Sequence, residues 1–217
     1  MKLRILFTTF LAALTFSAFA QETGDELNWF LNNNAVEFNF TGVPGALQVN
    51  QTGNSNEMIA IQQLSDNQNY ILTGNQEGTG NKGFINQTGF DHESILSQKN
   101  EEGNVGNEAN LWSVGSNTQN FVRQEGSQNV VNSYVENTTG FLRSAISIQQ
   151  GNNNQIDLAL LEREEINNIM GIQVTQTGDA NSANLVLEDY NAPYIKVNQT
   201  GGANIEITHS DFYFPGK

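Results

Sequence analysis

Gln176-Thr177-Gly178-Asp179-Ala180-Asn181-Ser182-Ala183-Asn184-Leu185-Val186-Leu187 decides how this chain is read, because its spacing recurs along most of the sequence. The tripeptide Gln-x-Gly also opens copies at Gln51-Gly53, Gln76-Gly78, Gln87-Gly89, Gln124-Gly126, Gln149-Gly151 and Gln199-Gly201. Three residues after the Gly stands an Asn: Asn56, Asn81, Asn129, Asn154, Asn181 and Asn204, with His92 taking that place in the copy that begins at Gln87. Two residues on comes a small or aliphatic side chain (Met58, Gly83, Ser94, Val131, Ile156, Ala183), and four further on Gln62, Gln87 and Gln98 or an aliphatic substitute such as Val135, Leu160 and Leu187. The unit is Q-x-G-x-x-N-x-A-x-x-x-Q. Weaker copies pass through Ser113-Gly115-Thr118-Asn120-Gln124, Thr138-Gly140-Arg143-Ala145-Gln149 and Glu165-Asn167-Met170-Ile172-Gln176, with a degenerate one near Glu102. Each long period therefore holds two half-units and a variable connection.

The flanks of the motif alternate. Val49 and Gln51, or Val174 and Gln176, share one parity before the Gly; Ile156, Leu158 and Leu160 share one after the Asn. A period of two is a strand with one face inward. The Gly-x-x-Asn between two such strands is a turn, since Gly tolerates positive φ and Asn tolerates the left-handed region while bonding nearby backbone. One strand-turn-strand arc is too thin to bury its own inner face and is stable only when stacked on copies of itself. Stacking at about 4.8 Å sets like residues over one another. Gln and Asn each carry a donor and an acceptor, so columns of them bond along the stack. The expected fold is an all-β solenoid of stacked strand-turn-strand repeats, amyloid-like, with two sheets. The expected amide ladder comprises Gln51, Asn56, Gln62, Gln76, Asn81, Gln87, Gln98, Gln124, Asn129, Gln149, Asn154, Gln176, Asn181, Gln199 and Asn204, and the expected turn glycines are Gly53, Gly78, Gly89, Gly126, Gly151, Gly178 and Gly201.

At these residues the chain resembles the curlin family, whose members build curli, the amyloid surface fibres of biofilm-forming bacteria. Gln176, Gly178, Asn181 and Ala183 match the core of the curlin repeat, as do Gln76, Gly78, Asn81 and Gln87 with Gly83 in the small position. The resemblance implies a subunit exported unfolded through a dedicated outer-membrane pore with accessory factors. It also implies polymerisation on the cell surface, with partners in further copies of itself and in another curlin-type subunit or nucleator. The chain departs from the family in three ways. The Ser that usually lies six residues before the first Gln is replaced by Tyr70, Thr118, Arg143, Met170 and Pro193, the periods are uneven, and the leader lacks glycine-rich character. Degraded copies, with Arg123, Arg143 and Lys196 at polar positions, tilt the expectation toward a minor or nucleating subunit.

Residues 1–20 read as a Sec signal peptide: Lys2 and Arg4, then an apolar run from Ile5 to Phe16, then Ala18-Phe19-Ala20 before the cut. The signal peptide implies export; together with it, the curlin resemblance implies passage through the bacterial periplasm to an extracellular fibre. No later segment reaches the roughly 20 apolar residues of a spanning helix. Cleavage removes two of nine basic residues and none of the 23 acidic ones, which takes the net charge from −14 to −16. Such a chain repels phosphate backbones, so a nucleic-acid partner is not expected. There is no cysteine, so neither disulfides nor a thiolate site is available. Residues 21–46, with Trp29, Phe30, Phe38 and Phe40, form a pore-targeting leader, a cap or a degenerate first rung, and the alternation Val36, Phe38, Phe40 favours a cap or half-rung; 47–210 is the repeat body and 211–217 a tail. The alternation expected at the C-terminus sets Glu206 at the inward parity.

Catalytic, cofactor and metal sites are not expected. His92 and His209 are the only histidines and form no Ser-His-Asp or paired-His spacing; His92 reads as a turn residue. The acidic run Glu162-Arg163-Glu164-Glu165 reads as a solvated loop, and no GGxGxD calcium pattern occurs. The function expected is a structural fibre subunit; the alternatives are a nucleator or a non-polymerising solenoid adhesin.

Overall fold

The structure is a computed structural model that describes residues 35–41, 46–64, 70–137, 142–160, 170–186 and 194–208. Residues 1–20, the Glu162–Glu165 run, His209 and the 211–217 tail lie outside the described residues. The strands are β1 (Ala35–Thr41), β2 (Ala46–Asn54), β3 (Glu57–Leu64), β4 (Tyr70–Thr79), β5 (Lys82–Lys99), β6 (Glu108–Glu125), β7 (Val130–Asn137), β8 (Arg143–Gln150), β9 (Gln155–Leu160), β10 (Met170–Thr177), β11 (Ser182–Asn184), β12 (Tyr194–Thr200) and β13 (Asn204–Glu206). No helix occurs among the described residues, and none is therefore long and apolar enough to cross a membrane.

The period of two seen in the sequence is the period of burial. In β8 the inner residues Arg143, Ala145, Ser147 and Gln149 are buried while Ser144, Ile146 and Ile148 between them are half-buried. Every strand pairing is parallel. One face runs β1-β3-β5-β6-β7-β9-β11-β13. The other runs β2-β4, then the second halves of β5 and β6, then β8-β10-β12. β5 and β6 turn the corner without a break and belong to both. The fold is a β-solenoid: the chain crosses one face, turns, crosses the other, and returns one rung along. A parallel connection usually requires a crossover helix; here the strand of the opposite face is the crossover.

The core lies between the faces. Met58, Ala60, Leu72, Ile85, Leu96, Leu111, Val131, Ile156, Ile172 and Leu185 are fully buried. Each rung contributes only a few of them, so the apolar layer becomes continuous only through stacking. Volumes are matched across it: a Cβ at Gly83 would lie 2.8 Å from Met58 Sδ and 2.6 Å from a Leu96 methyl, and one at Gly74 2.7 Å from Met58 Cε. Gly83 is thus the space into which Met58 and Leu96 pack.

Two corners alternate along each turn of the solenoid. Gly53, Gly78, Gly126, Gly151, Gly178 and Gly201 stand at one; Gly89 stands at the other, with Gly115 in register on the next rung. Gly126 shows why this place needs glycine. Its φ is 109°, and an added Cβ would overlap the Gly151 carbonyl oxygen of the next rung. The residue before the Asn also takes positive φ, at Ser55, Gln128, Asn153 and Ala180.

The last rung corrects the sequence reading. Asn204 pairs with Ser182 rather than Asn181, and it is exposed. In this turn the positive φ values fall on Gly201 (68°) and Gly202 (75°), and the chain reaches the next strand one residue out of step. A one-residue slip exchanges the two faces of a strand. Ile205 now opposes Ala183, Ile205 and Ile207 pack on the core, and Glu206 is exposed rather than inward. Burying an unpaired carboxylate costs far more than one amide hydrogen bond contributes. The register therefore follows the isoleucines and gives up Asn204.

Candidate functional site

The site is the set of polar columns inside the solenoid. The first is a glutamine ladder. Nε2 of each Gln donates to Oε1 of the next: Gln51 to Gln76 (2.6 Å), Gln76 to Gln98 (2.8 Å), Gln98 to Gln124 (2.9 Å), Gln124 to Gln149 (2.9 Å), Gln149 to Gln176 (3.0 Å) and Gln176 to Gln199 (2.8 Å). The second Nε2 proton reaches across the corner to a carbonyl at the start of the opposite face. Gln98 donates to Lys82 (2.8 Å), Gln124 to Glu108 (2.9 Å), Gln149 to Val130 (3.1 Å) and Gln176 to Gln155 (2.9 Å). One side chain thus ties rung to rung and face to face. At Gln199 the ladder closes on itself, with Nε2 donating to the Ser182 (2.7 Å) and Ala203 (3.1 Å) carbonyls.

The second column runs the other way. Asn81 Nδ2 donates back to Asn56 Oδ1 (3.1 Å), Asn129 to Asn107 (3.0 Å), Asn154 to Asn129 (3.0 Å) and Asn181 to Asn154 (2.8 Å). The same Oδ1 atoms accept the next backbone N–H: Asn56 from Asn81 (3.0 Å), Asn129 from Asn154 (3.1 Å), Asn154 from Asn181 (3.1 Å). At the end, Ala203 N donates to Asn181 Oδ1 (3.1 Å) in the place the motif reserves for an Asn. Glutamine donors point toward the C-terminal end and asparagine donors toward the N-terminal end, so the two columns of amide dipoles oppose each other.

Gln62 and Gln87 belong to neither column. They face one another at the opposite corner, Gln62 Nε2 donating to Gln87 Oε1 (2.7 Å) and Gln87 Nε2 to Ser94 Oγ (2.9 Å). In register they are followed by Ser113 and then Val135, where the amides give way to an apolar column. His92 does an asparagine's work at this corner. Its Nε2 lies 3.0 Å from the Thr88 carbonyl, four residues back, as Asn56 Nδ2 lies 3.2 Å from the Thr52 carbonyl. A carbonyl only accepts, so Nε2 carries the proton, and Nδ1 accepts from the Thr118 hydroxyl at 2.8 Å. Burial lowers the His92 pKa, while the Thr88 carbonyl and Asp91 oppose that shift.

Two members of the Asn corner escape the motif. Asn107 fills a full place in the asparagine column, donating to Asn81 Oδ1 (3.1 Å) and accepting from Asn129. Asn100 sits in the glycine register opposite Gly78 and accepts from Asn81 Nδ2 (3.0 Å). The Asn107-Glu108-Ala109 triplet is the second half of the repeat, but the segment Glu101–Gly106 parts it from the first half at Gln98. Other buried polar groups span the core, such as Ser133 Oγ donating to Asn120 Oδ1 (2.7 Å). Among the described residues, no group of three His, Cys, Asp or Glu side chains is placed to share a metal ion.

Surface charge is a separate layer. Lys99 pairs with Glu77 at 2.9 Å, more than half exposed on both sides, and Arg123 pairs with Glu125. The Arg123 hydrogen bond lowers the Glu125 carboxyl below its ordinary value. Such exposed pairs contribute little. The interior amides carry the organisation of the molecule. Compared with known proteins, this chain matches no family model, no curated protein and no solved structure.

Proposed function

We propose that this chain is a structural subunit of an extracellular, curli-like fibre, secreted through the Sec route and assembled by adding rungs of one molecule to rungs of the next. The observation that carries this reading is the polar ladder itself. A column of amides has no natural length: each added rung accepts from the glutamine and donates to the asparagine of the one before. Among the described residues β1 and β2 at one end, and β12 and β13 at the other, pair on one side only. An unpaired strand edge is a template for another chain. The acidic excess keeps subunits apart during export and is overcome only when edges dock in register. The partners are further copies of this chain, another curlin-type subunit or nucleator, and the secretion pore with its accessory factors.

The test is seeded growth. The chain lacking residues 1–20, freshly desalted at micromolar concentration, forms thioflavin-binding filaments after a lag that a small amount of sonicated filament abolishes. A monodisperse solution unaffected by seed contradicts the proposal. One observation favours a second reading, a nucleator or a non-polymerising adhesin. The glutamine ladder closes at Gln199 and Asn204 leaves the asparagine column, so the C-terminal end offers a poorer template. A nucleator shortens the lag of another curlin-type subunit while failing to elongate its own filaments, whereas an adhesin does neither.

A further inference from the structure

The outward side of the β1-β3-β5-β6-β7-β9-β11-β13 face carries a row of rings that the ladders do not use. Phe84 on β5 and Trp112 on β6 lie with ring centroids 5.4 Å apart, tilted by 50°. Tyr134 on β7 is in direct register with Trp112, one rung along. All three are half-buried among outward positions. Beside them runs a polar column: Asn110 Nδ2 donates to Asn132 Oδ1 (2.9 Å), and Asn132 Nδ2 to Asp157 Oδ1 (2.6 Å). Trp112 stands between two surface hollows. One of about 410 Å³ is bordered by Ile59, Phe84 and Glu108; the other, of about 170 Å³, by Tyr134, Asp157 and Val186.

We propose that this face binds a neutral, extended polysaccharide, laid along the stack with sugar rings on Trp112 and Tyr134 and hydroxyls on the Asn110–Asn132–Asp157 column. A pyranose presents an apolar face of C–H groups and a rim of hydroxyls. Its complement is a flat aromatic platform flanked by paired donors and acceptors. Both are here together on two adjacent rungs, Trp112 with Asn110 on β6 and Tyr134 with Asn132 on β7. Rungs are about 4.8 Å apart, close to the length of one sugar unit in an extended chain, so these two rungs meet two successive sugars. The column also has capacity to spare: Asn132 commits one of its two amide protons among the described residues. Tyr134 is a neutral donor throughout, its phenol pushed up to about 12 by burial and by Glu136, whose carboxylate it bonds at 2.9 Å.

Charge selects the class of ligand. The net charge is −14, and among the described residues Glu57, Glu108, Glu136 and Asp157 stand around the rings against the single cation Lys82. An anionic polymer is repelled by this face, and so is the same face of a second copy. A neutral glycan is not.

Binding is read on the monomer, so its outcome does not depend on whether the chain polymerises. The sequence holds two tryptophans, Trp29 and Trp112, so Trp29→Phe leaves Trp112 as the only indole. Titration of this variant with a soluble cello- or chitohexaose is expected to change Trp112 emission saturably, with little dependence on salt, whereas an anionic oligouronate leaves it unchanged. In gels containing a neutral cellulose derivative, Trp112→Ala and Tyr134→Ala are expected to weaken retention by about tenfold each, which corresponds to about 1.4 kcal/mol, and Trp112→Phe to retain most of it. Circular dichroism checks that these outward substitutions leave the β-sheet intact. The proposal is overturned by an emission unchanged with every neutral oligosaccharide, by retention that Trp112→Ala does not alter, or by tighter binding of the oligouronate. It is equally overturned if Trp112→Ala abolishes only self-association, which would make the face a contact between copies.

Discussion

Gln124 shows what one ladder residue does. Its amide accepts from Gln98, donates to Gln149 and donates to the Glu108 carbonyl, all at 2.9 Å, the two bonds within the ladder being fully buried and the third partly so. Gln124→Ala removes a side chain and strands three partners, each of which keeps its desolvation cost. A loss of about 3 kcal/mol or more is expected. Gln199→Ala also breaks three bonds, but only the one from Gln176 is fully buried and lies within the ladder, while the other two go to part-buried carbonyls at the last rung, so a smaller loss is expected. Urea midpoints of the monomer measure both; equal losses would show that the ladder does not couple rungs. His92 gives a second residue-scale expectation. A buried histidine with a lowered pKa is neutral in the folded state and titrates earlier in the unfolded one. Its contribution is therefore complete above about pH 6.5 and falls away as the pH drops below that. His92→Asn keeps the contact to the Thr88 carbonyl without a titrating ring. The stability difference between wild type and His92→Asn is expected to move in the variant's favour between pH 7 and pH 5; a difference independent of pH would contradict the assignment. From the sequence alone His92 was legible as a turn residue, because it stands in the asparagine place. That it is also buried depends on Thr118, which arrives from the next rung.

At the scale of the element, the turn decides which residues face inward. Gly126→Ala meets both a φ of 109° and the neighbouring Gly151 carbonyl. It is expected to cost several times the ~1 kcal/mol of an ordinary Gly–Ala exchange, read as a lowered urea midpoint; a neutral effect would mean that the rungs are not tightly stacked at this corner. The final turn is the converse case. Changing Gly202→Asp, Ile205→Ser, Glu206→Ala and Ile207→Asn repeats the residues at 179–184. It is expected to bring Asn204 back into the asparagine column, seen as slowed exchange of its side-chain amide protons. Sequence spacing made the regular turns legible because Gly-x-x-Asn carries its own geometry. It misplaced Asn204 because spacing counts residues, while the register here is set by where Ile205, Glu206 and Ile207 come to rest. Asn107 was missed for a related reason: the extra residues after Asn100 break the count but leave the inward parity intact.

For the whole molecule, a polar composition with only 37% hydrophobic residues is compatible with a packed interior because its amides are repeated in register. The two-faced solenoid was legible from the alternation of parities around each Gly-x-x-Asn. The row of Phe84, Trp112 and Tyr134 was not. Those residues are far apart in sequence, and only the parallel register places them on adjacent rungs. The same register sets the axial repeat that the proposed fibre would have. The glutamine ladder passes through seven rungs, at Gln51, Gln76, Gln98, Gln124, Gln149, Gln176 and Gln199. At the strand spacing, the seven ladder rungs occupy about 34 Å of fibre axis and the eight stacked strands of the β1 face about 38 Å. Mass per unit length, measured on unstained filaments by electron microscopy, tests this most directly. One chain per roughly 34–38 Å, together with a meridional reflection near 4.8 Å, is expected. One chain per about 4.8 Å, the value for flat in-register stacking of whole chains, would contradict it.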